Sequence, residues 1–184
     1  MNMNKKIALL AGGSLAAIAA GAAIYFKTRR TIPKNAVAVK PFDIHKYLGK
    51  WYEIARIDFI HERNLSNTTA EYALQENGMV SVVNSGYNEK TGKWESAQGK
   101  AKFAGAKDEG KLQVTFFGPF YSGYNVIDID DDYKHVLVAG ETLDYLWLLS
   151  REQVMPDEYI KRFLNKAQSV GYDTSRLNWI EHDL

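Results

Sequence analysis

From Trp51 onward the chain is a succession of short runs rich in aromatic and β-branched residues, each closed by turn residues. The runs are Trp51–Ile57, Thr68–Leu74, Met79–Tyr87, Lys93–Ala104, Lys111–Phe117, Tyr121–Asp130, Tyr133–Gly140 and Asp144–Ser150. Turn residues recur every 8–12 positions, as expected of an antiparallel barrel or sandwich. Glu76-Asn77-Gly78 carries an Asn-Gly pair, a type I′ hairpin signal. The short connections predict that neighbours in sequence pair in space. Eight up-and-down strands leave an interior wide enough for one small ligand.

The period changes to helical only at 156–170. Ile160, Phe163, Leu164 and Ala167 form an i, i+3, i+4, i+7 stripe. Pro156 suits the first helical position, Asp157 and Glu158 suit the positive end, and Gly171 stops the helix. One apolar stripe predicts a helix lying against the outside of the sheet, and Arg176–Ile180 follows as a short ninth strand.

The corner before the first strand, Phe42–Arg56, reads FDIHKYLGKWYEIAR. Asp43 is placed to cap a short helical turn, and Gly49 to end it where a left-handed residue is cheap. Trp51 and Tyr52 then enter the sheet. This stretch resembles the lipocalin signature: a short turn, Gly, one residue, Trp and an aromatic. Asp132-Tyr133 resembles the family's second motif, with Asp131 in the place of its usual Thr, and Ser150-Arg151 resembles the third. The region from about Pro41 to Ile180 is similar to the bacterial lipocalin branch, close to the apolipoprotein D group. The resemblance implies an all-β fold, an eight-stranded antiparallel up-and-down β-barrel with one C-terminal α-helix outside. It implies that Arg151 packs on Trp51 across the closed end, a cation–π contact worth about 0.5–2 kcal/mol. Gly49, Trp51, Asp132 and Arg151 are therefore expected to be structural residues, and 58–67, with Phe59, Ile60 and Leu65, a lid over the mouth.

Strand alternation carries this register onward. The inward residues expected to line a ligand site are Ala70 and Tyr72; Val82 and Asn84; Ala101 and Phe103; Val114 and Phe116; Tyr124 and Val126; His135, Leu137 and Ala139; Tyr145, Trp147 and Leu149. An apolar, aromatic wall with a few polar tips is the make-up of a small-molecule pocket. A barrel filled by its own side chains would use the same residues. The hydroxyl-tipped aromatics argue for a pocket, because a closed core would leave them without partners.

Ahead of the barrel, Lys5 and Lys6 precede an uncharged run from Ile7 to Phe26, 20 residues long and near the length of a membrane span. Lys27, Arg29 and Arg30 end it, with Tyr25 and Phe26 beside them as an interfacial belt. Ala17-Ile18-Ala19 and Ala20-Gly21-Ala22 fit the small-x-small rule of a cleaved signal peptide, so a retained anchor and a signal both stand. The organisation expected is 1–30 anchor or signal, 31–40 an extended linker of roughly 33 Å reach, and 41–184 the barrel. Beyond residue 30 the chain has 18 basic against 22 acidic residues, no electrostatic footprint for nucleic acid. The absence of cysteine removes disulfides, thiolate chemistry and the lipid-modified cysteine common in bacterial lipocalins.

His45, His61, His135 and His182 show no metal-ligand spacing, and the acidic run 128–132 lacks the glycine of a calcium loop. No metal or cofactor is expected. The function expected is a non-catalytic carrier or store of a hydrophobic small molecule, with a lipid and a membrane as partners. The resemblance implies fatty acids or lysophospholipids at a bacterial cell envelope. Two alternatives are a lipid-modifying enzyme using His135 and a filled barrel acting as an interaction module.

Overall fold

The computed structural model describes residues 30–57 and 64–183. The apolar run 7–26 and residues 58–63 of the expected lid lie outside the described residues, while Leu65 belongs to a strand. A four-residue helix α1 (Ile44–Tyr47) leads into β1 (Gly49–Ile57), followed by β2 (Leu65–Leu74), β3 (Val80–Asn88), β4 (Lys93–Phe103), β5 (Lys111–Thr115), β6 (Ser122–Ile129), β7 (His135–Ala139) and β8 (Leu146–Ser150). Helix α2 (Asp157–Val170), a 3₁₀ turn (Thr174–Arg176) and β9 (Leu177–Trp179) complete the chain. Strands β2 to β8 pair in sequence order, β8 pairs with β1, and β1 returns to β2, closing an eight-stranded barrel; β9 docks on the second half of β1. The expected fold class holds.

The corner forms as its residues dictate. The Asp43 carboxylate accepts from the His45 N–H at 2.9 Å, and Gly49 turns the chain at φ 92°. Trp51 is wholly buried, and its indole N–H donates to the Tyr47 carbonyl at 2.8 Å. The Arg151 guanidinium lies 3.8 Å from the centre of the Trp51 ring. It donates to the carbonyls of Lys46, Tyr47, Leu48, Lys50 and Tyr133 at 2.7–3.3 Å. One cation thus ties together five backbone carbonyls of the corner and the 130–134 turn.

At the 130–134 turn the structural carboxylate is Asp130, not Asp132. Buried Asp130 accepts from the backbone N–H groups of Lys134, at 2.8 Å, and His135. Asp132 is exposed, 3.9 Å from the Lys134 ammonium. Tyr133 sits in the left-handed region at φ 58°, and its hydroxyl accepts from the Asp43 N–H at 2.9 Å.

Apolar residues collect on both faces of the sheet. Inside the barrel lie Phe42, Tyr47, Trp51, Ala70, Tyr72, Val80, Val82, Ala101, Leu112, Val126, Val136, Val138 and Leu149. Outside, Phe163, Ala167 and Val170 of α2 bury against Ile54, Ala55, Ile57, Ile127, Leu137, Leu146 and Leu148.

Two β-bulges set these faces. In β1 the bulge between Glu53 and Ala55 leaves Ile54 and Ala55 both facing α2, so Arg56 turns inward opposite Trp147. In β6 the bulge at Ile127 leaves Asp128 outward, where its carboxylate takes two hydrogen bonds from Arg162 of α2 at 2.5 and 3.2 Å. The face expected for β7 is corrected: Val136 and Val138 pair with inward Leu149 and Trp147, and His135, Leu137 and Ala139 face outward. Alternation within β7 gives two faces but not which is which; pairing with β8 decides it.

Two smaller expectations change. The 76–78 turn is a three-residue loop, with the Gly78 N–H donating to Gln75 O at 2.9 Å and only Gly78 at positive φ, in place of a type I′ pair. The segment 31–40 is pinned to the barrel wall, with Ala36 and Ala38 buried and the Val39 N–H donating to Val126 O at 2.8 Å, so it is not a free linker.

Arg151→Met should unfold at markedly lower urea concentration, with a loss of about 3 kcal/mol or more, since charged hydrogen bonds contribute about 1.5–3 kcal/mol each. Arg151→Lys should recover only part of it, because an ammonium cannot match the planar fork that reaches several carbonyls and the ring face.

Candidate ligand-binding site

The barrel is closed at the corner, where Trp51 and Arg151 lie, and opens at the other end, where the β3–β4, β5–β6 and β7–β8 turns stand. Depth along the interior follows from the strand pairing. At the floor, Tyr47, Tyr72 and Tyr124 bring their hydroxyls together. Tyr124 bonds Tyr47 at 2.5 Å and Tyr72 at 2.8 Å. Beside them Ile44, Val80, Val82, Ala101, Leu112 and Val114 enclose a cavity with room for about one water molecule. The floor is therefore nearly filled by side chains, and its phenols satisfy one another. The argument that buried hydroxyls imply an empty pocket fails at this level.

Higher in the barrel the packing loosens. Phe116 and Trp147, nearer the open end, face inward yet are only partly buried, so the space above the floor is open. Trp147 stacks on both Tyr124 and Tyr145, with centroids at 6.5 and 6.3 Å. That side of the wall is apolar.

The neighbouring strands β1 to β3 carry polar groups. Glu53 and Arg56, both buried, form an ion pair on the inner face of β1, Arg56 Nη1 to Glu53 Oε1 at 2.7 Å. The same guanidinium reaches Thr68 Oγ1 at 3.5 Å. Asn84, paired with Ala70, turns inward one step above the Tyr72–Val82 level, and its Oδ1 is buried with no hydrogen-bond partner among the described residues. Such an atom costs free energy until a donor reaches it.

Of the residues expected to line the site, Ala70, Tyr72, Val82, Asn84, Ala101, Phe103, Val114, Phe116, Tyr124, Val126, Tyr145 and Trp147 are gathered on this interior. His135 and Leu137 are not. The His135 ring packs on Tyr159 of α2 at 4.2 Å, and its Nδ1 lies 3.2 Å from Ser150 Oγ, outside the barrel. Burial lowers its pKa. The Glu53–Arg56 pair had one signal in sequence: two opposite charges three residues apart in an otherwise apolar strand.

Burial, then repulsion between neighbouring phenolates, raises the pKa of Tyr47 and Tyr124 well above the usual value. Their folded-state pKa exceeds the unfolded one, so the stability they contribute is whole below about pH 10 and falls as pH rises beyond it. Urea unfolding should therefore weaken above about pH 10, with phenolate absorbance from these residues appearing only as the protein unfolds. Tyr124→Phe should cost about 1–3 kcal/mol at neutral pH and more than Tyr72→Phe, because Tyr124 is the hub of both bonds.

The same features recur in known proteins. The family described as the lipocalin-like domain matches residues 42–182. The chain is 46% identical over 151 residues to the outer membrane lipoprotein Blc of Escherichia coli (strain K12), covering 82% of this chain and 85% of that protein. It is 31% identical over 143 residues to apolipoprotein D of Mus musculus, covering 74% and 75%. Among solved structures, insecticyanin of the tobacco hornworm Manduca sexta superposes with a TM-score of 0.66 at 21% identity, covering 84% of this chain and 88% of that one. A closed eight-stranded barrel latched by Arg151 on Trp51, in a chain so related, belongs to the lipocalin family.

Proposed function

We propose that the protein binds and carries or stores a single-chain lipid, a fatty acid or a lysophospholipid, at the bacterial cell envelope. The observation that supports this most directly is the half-buried aromatic wall of Phe116 and Trp147 above a sealed floor. Burying an acyl chain there stabilises the complex by about 0.8 kcal/mol per CH₂. The carboxylate or headgroup stays toward the mouth. The side bearing Asn84 offers a buried acceptor to a glycerol hydroxyl, which favours a lysophospholipid over a bare fatty acid. The relatives named as outer membrane lipoproteins and the apolar run 7–26 support an envelope location with an extracytoplasmic barrel.

Binding without turnover is the reading the interior supports. The histidine considered for catalysis packs under α2, away from any ligand in the barrel. Among the described residues, the polar groups inside are phenols, a threonine hydroxyl, an amide and an ion pair already engaged with its own partner.

Native mass spectrometry of protein extracted gently from membranes should show a co-purifying single-chain lipid. Phe116→Glu, placing a carboxylate on the open wall, should weaken binding of a fluorescent fatty acid at least tenfold with the circular dichroism unchanged. A wild-type barrel that takes up no lipid, or a variant that binds as well as wild type, would reject the proposal.

A further inference from the structure

Residues 31–42 run down the outside of the barrel from its open end to its closed end. At the open end the Asn125 side-chain amide donates to Thr31 O at 2.7 Å and to Ala139 O and Gly140 O at 3.2 and 3.1 Å. Thr31 lies so close to the start of β6 that a Cβ at Gly123 would fall 1.8 Å from its carbonyl oxygen. The Asn35 amide reaches Val170 O, at the mouth-side end of α2. Further down, Gly110 N–H donates to Val39 O at 2.9 Å, and Phe42 N–H to Asp108 O at 2.8 Å, beside the closed end. The strap therefore fixes where the preceding chain leaves the barrel: Thr31, on the open rim.

Sequence then limits the distance. Phe26 ends the apolar run, and five Cα steps separate it from Thr31. Fully extended, those steps span at most about 18 Å. Strand β6, beside which Thr31 lies, has 8 residues and, tilted as barrel strands are, rises about 20 Å along the barrel axis. The exit on the open rim and the short connection together favour the open rim as the face nearer a membrane.

The rim itself carries a second, independent observation. Phe117 and Phe120, in the turn between β5 and β6, are 82% and 72% exposed, and Trp94, at the open end of β4, is 64% exposed. Single exposed apolar residues are ordinary. Three large aromatics on one end of a barrel, the end from which an apolar run departs, match the belt that aromatics form at a membrane interface. The Lys102 ammonium sits over the Tyr121 ring at 4.2 Å in the same region. Charges on the neighbouring β3–β4 turn are mixed, Lys90 and Lys93 with Glu89 and Glu95, so apolar burial rather than charge is the attraction.

We propose that Trp94, Phe117 and Phe120 seat the open rim in the surface of the bilayer that holds residues 7–26, so that a lipid passes between bilayer and barrel without crossing water. The docking rests on residues 7–26 being retained in the membrane; the passage of lipid rests also on the carrier reading.

The absence of cysteine makes the test direct. The full chain, inserted in vesicles of phosphatidylethanolamine and phosphatidylglycerol, takes single cysteines at Phe117→Cys, Phe120→Cys and, at the closed end, Asn77→Cys and Lys107→Cys, each labelled with a small fluorophore. The rim labels should be quenched by brominated acyl chains and shielded from aqueous iodide, the closed-end labels the reverse, with little change at high salt. The opposite pattern, or iodide reaching every label, overturns the docking. Rim labels shielded from both quenchers overturn it too, since a second copy of the chain would then cover the rim. For the passage of lipid, a fluorescent fatty acid is offered in the same vesicles. Phe117→Ser with Phe120→Ser should slow its uptake several-fold and leave its equilibrium affinity unchanged. Equal uptake rates reject the direct route. A probe that binds neither protein rejects the carrier reading, and the quenching pattern still decides the docking.

Discussion

The Arg151 guanidinium is the constraint on which the rest depends. The turn from α1 into β1 brings several backbone carbonyls together at the closed end. A planar cation with five donors meets those of Lys46, Tyr47, Leu48, Lys50 and Tyr133 and still lays its face on Trp51. Because one side chain draws together the corner, the 130–134 turn and the end of β8, this end of the barrel is sealed. A barrel sealed at one end has one entrance, and everything functional is ordered by distance from the seal.

Above the seal the interior changes character with height. The three phenols fill the floor and answer one another's hydrogen bonds, so no ligand is needed to satisfy them. Over them the wall divides. Apolar surface lies on β5 and β8, and an ion pair, a hydroxyl and an amide lie on β1 to β3, with β1 directly beside β8. Such a division suits an amphiphile better than a pure hydrocarbon, because a chain and its polar end each find a matching side. The same logic extends to the rim, where exposed aromatics stand next to the point from which the N-terminal chain departs.

Much of this was legible in the chain. Turn residues and alternation place all nine strands and the outer helix to within a few residues, because short hairpins leave little freedom in pairing. Six strands, β2 to β6 and β8, also show the expected inward residues, from Ala70 to Val126 and at Trp147 and Leu149. The failures are matters of parity. His135 and Leu137 share a face with each other as expected, yet that face belongs to α2. Arg56 turns inward only because the β1 bulge adds a residue ahead of it. A bulge is one extra residue in one strand, and its partner strand, far away in sequence, is what reveals it.

What the sequence alone determined was local: the capped corner, the strands, the amphipathic helix, the apolar run at the N-terminus and the membership of a family. These follow from backbone preferences and periodicity within a few neighbouring residues. The tertiary structure decided which face of β7 lines the interior, that the phenols pair among themselves, and that Glu53 and Arg56 share the interior. It also decided that residues 31–40 are a strap bound to the wall, with their upper end on the mouth. Each of these depends on contacts between residues tens of positions apart. Composition and period carry no record of such contacts, since the same alternation fits either face of a sheet until its neighbours are in place.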